Sequence, residues 1–386
     1  MKKVAILTRR AGYNMGSSLQ ALAMSKFVKQ SGYANEILDY DEYSAYLLWR
    51  VKPFIKKIIL FILNLAPTLS YRLCRDYYQK LQTADKQMKQ FEQFESDYMP
   101  LTDRKYTSLK QLRQDVFHYD ACICGSDQIW SPYFYDPVFL LSFIAKGENC
   151  TKIAYAPSMG TTDASMLKEA QKELIKDFDY VSCREPEASD IVSEIRGEDI
   201  PTVLDPTLMV DSRFWKEVAA KSKIDINEKY ILTYFLYTSY YQDDIPYKFI
   251  ESLKRKTGLR VYNVSLFNQT QSILADKQFD TIGPAEFLKL VQNAEWICTN
   301  SFHCTIFSYL FERRFFVFER QMKNCEEGGN QNSRIHRLLK LFSMEQCLTK
   351  QLDKPNTDME YDFSVGKSNL ERERVVSLKY LNKSLT

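Results

Sequence analysis

The chain opens on an apolar run of strand length, Val4-Ala5-Ile6-Leu7, and is then broken by Gly12, Asn14 and Gly16 before Leu19, Leu22, Ala23 and Phe27 recur at helical spacing. A second strand follows at Glu36-Ile37-Leu38-Asp39-Tyr40, so the opening predicts a βαβ unit with a glycine-containing loop at the carboxyl end of its first strand. The alternation returns with strands expected at Ala121 to Cys124, Lys152 to Ala156, Tyr180 to Cys183 and Thr202 to Leu204. After the charged stretch Asp211 to Lys229 a new series is expected at Tyr230 to Tyr237, Arg260 to Ser265, Trp296 to Cys298 and Phe315 to Phe318, with helices between. Near-continuous apolar strands alternating with helices are the signature of parallel sheets covered on both faces. The fold class is therefore α/β.

With 386 residues the chain exceeds the roughly 250 to 300 at which one hydrophobic core stops growing, so two domains are expected, 1–205 and 206–386, meeting near Pro206. The segment 45–112 stands apart: it is rich in Lys, Arg, Tyr and Gln, lacks strand alternation, and reads as a helical insertion in the first domain. Within it, residues 46–65 mix bulky apolar side chains with Arg50, Lys52, Lys56 and Lys57, a pattern that reads first as a core-covering helix with its lysines in water and second as a peripheral membrane contact. The apolar run after Lys57 is far shorter than the roughly 20 residues that span a bilayer.

Charge adds mainly exclusions. A balance of 52 Lys and Arg against 49 Asp and Glu gives +3, too little for nucleic acid to be an expected partner. The nine cysteines form no CxxC pair and no metal-ligand spacing, and Met1 to Thr8 lacks the long apolar region of a signal peptide. Buried thiols in a cytoplasmic protein, with no metal, are the expectation.

Five polar loops fall at predicted carboxyl ends of strands, where open α/β sheets bind ligands. They are Gly12 to Gln20, Gly125-Ser126-Asp127-Gln128-Ile129-Trp130, Ala156-Pro157-Ser158-Met159-Gly160, Ser182-Cys183-Arg184-Glu185-Pro186, and Asn300 to Thr305. In the last, an apolar strand runs into a helix beginning near Thr305, so Ser301, Thr305 and free backbone amides are expected at an anion-binding helix start. His303 lies beside them, with a side chain able to exchange protons near neutral pH. Arg184 has two readings, a fork for a carboxylate or phosphate and an ion pair with Glu185 or Glu187. Asp127 and Asp205 read first as helix caps or hinge residues. His118 lies among aromatics before a strand and His336 in a cationic helix, both poorer candidates. No Walker loop, GxSxG elbow or HExxH motif is present.

Taken in order, six motifs resemble those of the polysaccharide pyruvyl transferase family: Asn14 to Ala21, Gly125 to Trp130, Ala156 to Gly160, Ser182 to Glu185, Leu204 to Thr207, and Thr299 to Thr305. The resemblance runs from residue 4 to about residue 340, leaving out the insertion. It implies two Rossmann-like domains in a GT-B-like arrangement and transfer of the enolpyruvyl unit of phosphoenolpyruvate onto a sugar of a cell-surface polysaccharide or its precursor, forming a pyruvate ketal. His303 and Arg184 would be catalytic. Asn14, Gly16, Gln20, Ser126, Asp127, Gln128, Ser158, Ser301, Thr305 and Arg334 would bind substrate. The implied partners are phosphoenolpyruvate and a sugar or lipid-linked acceptor, with no cofactor beyond the donor substrate. Two positions depart from the family pattern: Cys304 stands where glycine is usual, and Ser301 where some members carry arginine. Arg334 is the expected substitute cation, its other reading being a solvated helix charge. The competing functions are a sugar-nucleotide-dependent glycosyltransferase using Thr281 to Pro284 and Glu286, and a non-catalytic glycan-binding protein.

Overall fold

The computed structural model describes residues 2–10, 14–41, 85–115, 118–236, 245–266, 274–319, 332–349 and 354–386. Residues 46–65, expected to contact a membrane through Lys52, Lys56 and Lys57, lie outside the described residues. Among the described residues no helix is long and apolar enough to cross a membrane.

Two parallel six-stranded sheets carry the chain. The first contains β1 (Lys3–Leu7), β2 (Ala34–Tyr40), β3 (Leu101–Tyr106), β4 (Ala121–Cys124), β5 (Thr151–Ala154) and β6 (Tyr180–Val181), in the order β3-β2-β1-β4-β5-β6. The second contains β7 (Tyr230–Tyr234), β8 (Arg260–Val264), β9 (Lys277–Phe279), β10 (Trp296–Thr299), β11 (Arg314–Phe318) and β12 (Leu348–Thr349), in the order β12-β11-β10-β7-β8-β9. Read from the far edge, each half has the doubly wound order with its reversal between the first and fourth strands. That reversal opens a crevice outside the carboxyl ends of β1 and β4 in one half, and of β7 and β10 in the other.

Two expectations need correction. The stretch 45–112, read as wholly helical, includes a helix at 85–98 but also β3, an edge strand paired with β2. Its middle, Asp103-Arg104-Lys105, is exposed and charged, as edge strands often are, so no apolar alternation marks it. Thr202 to Leu204 makes only an isolated bridge, Thr202 to Cys183, because Asp205 immediately begins a helix.

The halves are tied together at several points. In the helix at 85–98, Gln87 Nε2 donates to Ser265 O at 3.0 Å, beyond the end of β8. The C-terminal helix Ser364–Leu385 returns to the first half: Leu204 N donates to Ser377 Oγ at 2.9 Å, and Tyr380 OH donates to the β5 carbonyl of Ala154 at 2.9 Å. One apolar cluster runs through both halves, from Val4 and Ile6 of β1 to Phe307 and Leu385.

Candidate functional site

The loop after β1 is organised by Asn14, whose side-chain oxygen caps the helix Met15–Gln30 by accepting from Gly16 N at 2.9 Å and Ser17 N at 3.3 Å. The cap leaves Ser17 Oγ directed at Asp127 Oδ2, 2.6 Å away. One turn on, the fully buried Gln20 donates to Thr8 Oγ1 (2.8 Å), Arg9 O and Ser17 O (both 3.0 Å), and accepts from Ser126 N at 3.1 Å. These contacts bind the loop after β1 to the loop after β4. Ser126 Oγ faces Ala156 O at 2.8 Å and Asp205 Oδ2 at 3.3 Å. The Gln128 side chain lies over Gly160, where a Cβ would come within 2.4 Å of its Nε2. Asn14, Gln20 and Ser126, expected to touch substrate, have polar atoms that hold the frame. Ser158, buried completely, keeps a hydroxyl with no hydrogen-bond partner.

In the second half, Asn300 pins its loop to the end of β7, accepting from Leu236 N at 2.8 Å and donating to Leu236 O at 3.1 Å. Ser301 caps the helix Phe302–Leu310, accepting from Cys304 N at 3.4 Å, while Thr305 Oγ1 donates back to Ser301 O at 2.9 Å. The anion site expected there is thus largely occupied by the helix's own cap. Cys304 is fully buried and burial pushes its thiol up to about 12, so it packs as a small apolar side chain. His303, by contrast, crosses to the first half. A Cβ built on Gly16 would lie 2.1 Å from His303 Nδ1, so the glycine lets the helix Met15–Gln30 press its backbone against the imidazole.

The two halves converge on Asp205. Its Oδ1 caps the short helix Pro206–Met209, accepting from Thr207 N at 3.0 Å and Thr207 Oγ1 at 2.7 Å. Its Oδ2 receives Arg184 Nη1 at 3.0 Å and Ser126 Oγ at 3.3 Å, with His303 Nε2 at 3.5 Å. Burial by itself would raise this carboxyl; the imidazole, the Arg184 guanidinium and Thr207 outweigh it and hold the group well below the usual carboxylate range. Asp127 is likewise lowered against its burial, by His303, Arg184 and Ser17, with Arg184 Nη1 at 3.9 Å.

The ion-pair reading of Arg184 holds with Glu185. Burial would strip its proton, but Glu185, Asp205 and Asp127 keep it firmly charged, and Nε donates to Glu185 Oε1 at 2.9 Å. Its guanidinium lies over the Phe302 ring at 4.5 Å, and Nη2 has no hydrogen-bond partner. Arg337 donates to the Arg184 carbonyl, and Arg334, only 6% exposed, lies 6.0 Å from the same Phe302 ring. Burial of Arg334 rules out its reading as a solvated charge. Arg184, Arg334 and Arg337 line one cleft with Glu185, Asp205 and Phe302. Arg337 escaped the sequence reading, although its spacing of three from Arg334 puts both on one helix face. His336 points outward to Glu319 Oε1 at 2.6 Å, and His118 is exposed.

The two halves of this α/β protein thus share a cleft in which three guanidinium groups lie beside the carboxylates of Glu185 and Asp205. The polysaccharide pyruvyl transferase family model matches residues 14–321, and the chain belongs to that family. No curated protein matches it in sequence. Among solved structures it is similar to UDP-GlcNAc 2-epimerase from Methanocaldococcus jannaschii, at 14% identity over 97% of this chain and 99% of that one, with a TM-score of 0.50. An S. aureus MnaA–UDP structure (11% identity, 100% and 91% coverage, TM-score 0.49) and E. coli heptosyltransferase WaaC with ADP (10%, 89% and 99%, TM-score 0.39) follow. The first likeness places the two sheets in a GT-B-like arrangement.

Proposed function

We propose that the protein transfers the enolpyruvyl unit of phosphoenolpyruvate to a sugar of a cell-surface polysaccharide or its precursor, closing a pyruvate ketal and releasing phosphate. The observation that carries this reading is the cleft lined by Arg184, Arg334 and Arg337 together with Asp205, whose Oδ2 also lies 3.5 Å from His303 Nε2. Phosphoenolpyruvate offers a carboxylate and a phosphate, and guanidinium N–H groups donate to both, Arg184 through its unpartnered Nη2. No cation is needed at position 301, because the three arginines come from other elements.

His303 would protonate the methylene carbon as general acid, its Nε2 lying 3.5 Å from Asp205 Oδ2. The oxocarbenium-like carbon that results is attacked by one sugar hydroxyl, and a second hydroxyl displaces phosphate to close the ketal. The arginines neutralise the departing phosphate.

A sugar-nucleotide glycosyltransferase gains less support from the second half. Glu286 Oε2 accepts from Gly283 N at 3.2 Å as a helix capping contact, and a Cβ on Gly283 would meet Gln90 of the helix at 85–98 at 3.0 Å. The loop offered for a base or ribose is thus covered by the chain itself. Purified protein incubated with phosphoenolpyruvate and a panel of glycan acceptors tests the reading. Acceptor-dependent phosphate release is expected; consumption of a sugar nucleotide alone would overturn it.

A further inference from the structure

A second, shallow pocket adjoins the arginine cleft, and its chemistry is different. Hydroxyls line it, from Ser158, Thr161, Thr162 and Ser333, together with the carboxylates of Glu185 and Glu187. Glu185 and Arg334 belong to both cavities and form the boundary between them. At that boundary Glu185 is 6% exposed: Oε1 is held by Arg184 Nε at 2.9 Å, while Oε2 is buried with no hydrogen-bond partner. Ser158, which also lines this pocket, likewise has a buried hydroxyl with no hydrogen-bond partner. Buried polar atoms in native proteins are nearly always satisfied, and an orphan costs about 1–3 kcal/mol, so two orphans on one cavity point to a ligand that supplies the missing bonds.

We infer that this cavity is the acceptor subsite, that it takes a neutral pyranoside through its hydroxyls, and that Glu185 Oε2 is the base that deprotonates the attacking hydroxyl. The inference rests on the pyruvyl-transfer reading and extends it. A lining of hydroxyls and carboxylates suits a polyol and repels a second anion, whereas the cleft with three guanidiniums suits the donor. Glu185 stands where the two ligands would meet.

The proton balance closes. The first acceptor hydroxyl forms its bond to C2 of phosphoenolpyruvate and gives its proton to Glu185 Oε2, while C3 takes a proton from His303. The second hydroxyl then bonds to C2 and returns a proton to His303. The C2–O bond to phosphate breaks, phosphate leaves with the bonding pair, and it takes the proton from Glu185.

The test compares wild type with Glu185→Gln, Glu185→Ala and Ser158→Ala, using a panel of p-nitrophenyl pyranosides, phosphate release, and calorimetric binding of phosphoenolpyruvate. Glu185→Gln is expected to bind phosphoenolpyruvate within about twofold of wild type while kcat falls about 100-fold, the usual scale for a lost general base. Formate should restore part of the turnover of Glu185→Ala. Ser158→Ala should raise the KM for the pyranoside and leave that for phosphoenolpyruvate unchanged. Unaltered kcat in Glu185→Gln, or loss of donor binding in place of turnover, overturns the role of Glu185 and leaves the donor assignment standing. Donor binding by wild type with no pyranoside accepted overturns the subsite. A wild-type protein that neither binds nor consumes phosphoenolpyruvate overturns both readings.

Discussion

Gly16→Ala adds one methyl group at the point where the two halves touch through His303. The added carbon would lie 2.1 Å from Nδ1, 2.6 Å from Cγ and 3.0 Å from Cβ of the imidazole. Non-bonded heavy atoms settle near 3.5 Å or beyond, so the ring or the helix Met15–Gln30 must retreat by about 1.4 Å. Both are enclosed: His303 is 7% exposed and Gly16 begins a helix whose first turns are buried. Two opposing terms set the stability change. Overpacking a filled interior costs about 1–3 kcal/mol, while alanine in a helix gains about 1 kcal/mol over glycine, so the net loss is between zero and about 2 kcal/mol. Activity should respond far more, because displacing a reacting group by about 1 Å costs on the order of 100-fold. The assay is kcat for phosphate release at saturating phosphoenolpyruvate, with urea unfolding run in parallel. Gly32→Ala serves as control: its φ of +92° penalises a side chain, yet nothing lies within 4 Å of the new methyl, so stability should fall with kcat unchanged. A Gly16→Ala protein with kcat within twofold of wild type would refute the role given to the position of His303.

His303→Ala should abolish turnover while leaving phosphoenolpyruvate binding measurable by calorimetry; near-normal kcat would remove it from the mechanism. Arg184→Lys keeps the charge but loses the fork over Phe302, and the KM for phosphoenolpyruvate should rise about 10- to 100-fold, equivalent to one charge-assisted hydrogen bond. Asp205→Asn should destabilise the protein by roughly 1–3 kcal/mol in urea at neutral pH, because it removes one of the two close carboxylates of the buried Arg184, leaving Glu185 as its near partner. The same variant should flatten the acid limb of stability. A carboxyl lowered in the folded state stabilises fully above its unfolded value of about 3.9 and loses that stability as pH falls below it, so an acid-unfolding curve unchanged below about pH 4 would contradict the lowered Asp205. Ser377→Ala strands the buried Leu204 N and should cost about 1–3 kcal/mol, against little effect from Ser368→Ala on the exposed face of the same helix.

What the sequence disclosed depended on whether a segment's partners were local. β1, β4 and β10 are apolar on both faces because helices cover both, and their runs could be read directly. β3, β9 and β12 are short or charged edge strands whose identity depends on a neighbour found only in three dimensions. The site divides the same way. His303 announced itself through its strand-loop-helix setting, and Arg184 by following a strand. Ser301 and Thr305 had the right residue types for an anion-binding turn, but the fold spends them on the turn itself, and composition cannot distinguish the two uses. Asp205 shows the limit most sharply. Asp before Pro at a helix start reads as a cap, and Oδ1 is one; Oδ2 of the same carboxylate receives Arg184, 21 residues back, and faces His303 in the other half. A carboxylate has two oxygens, and local sequence accounts for only one of them. Removing the Asp205 charge should therefore disturb folding and chemistry together, whereas a residue that served only as a cap would affect stability alone.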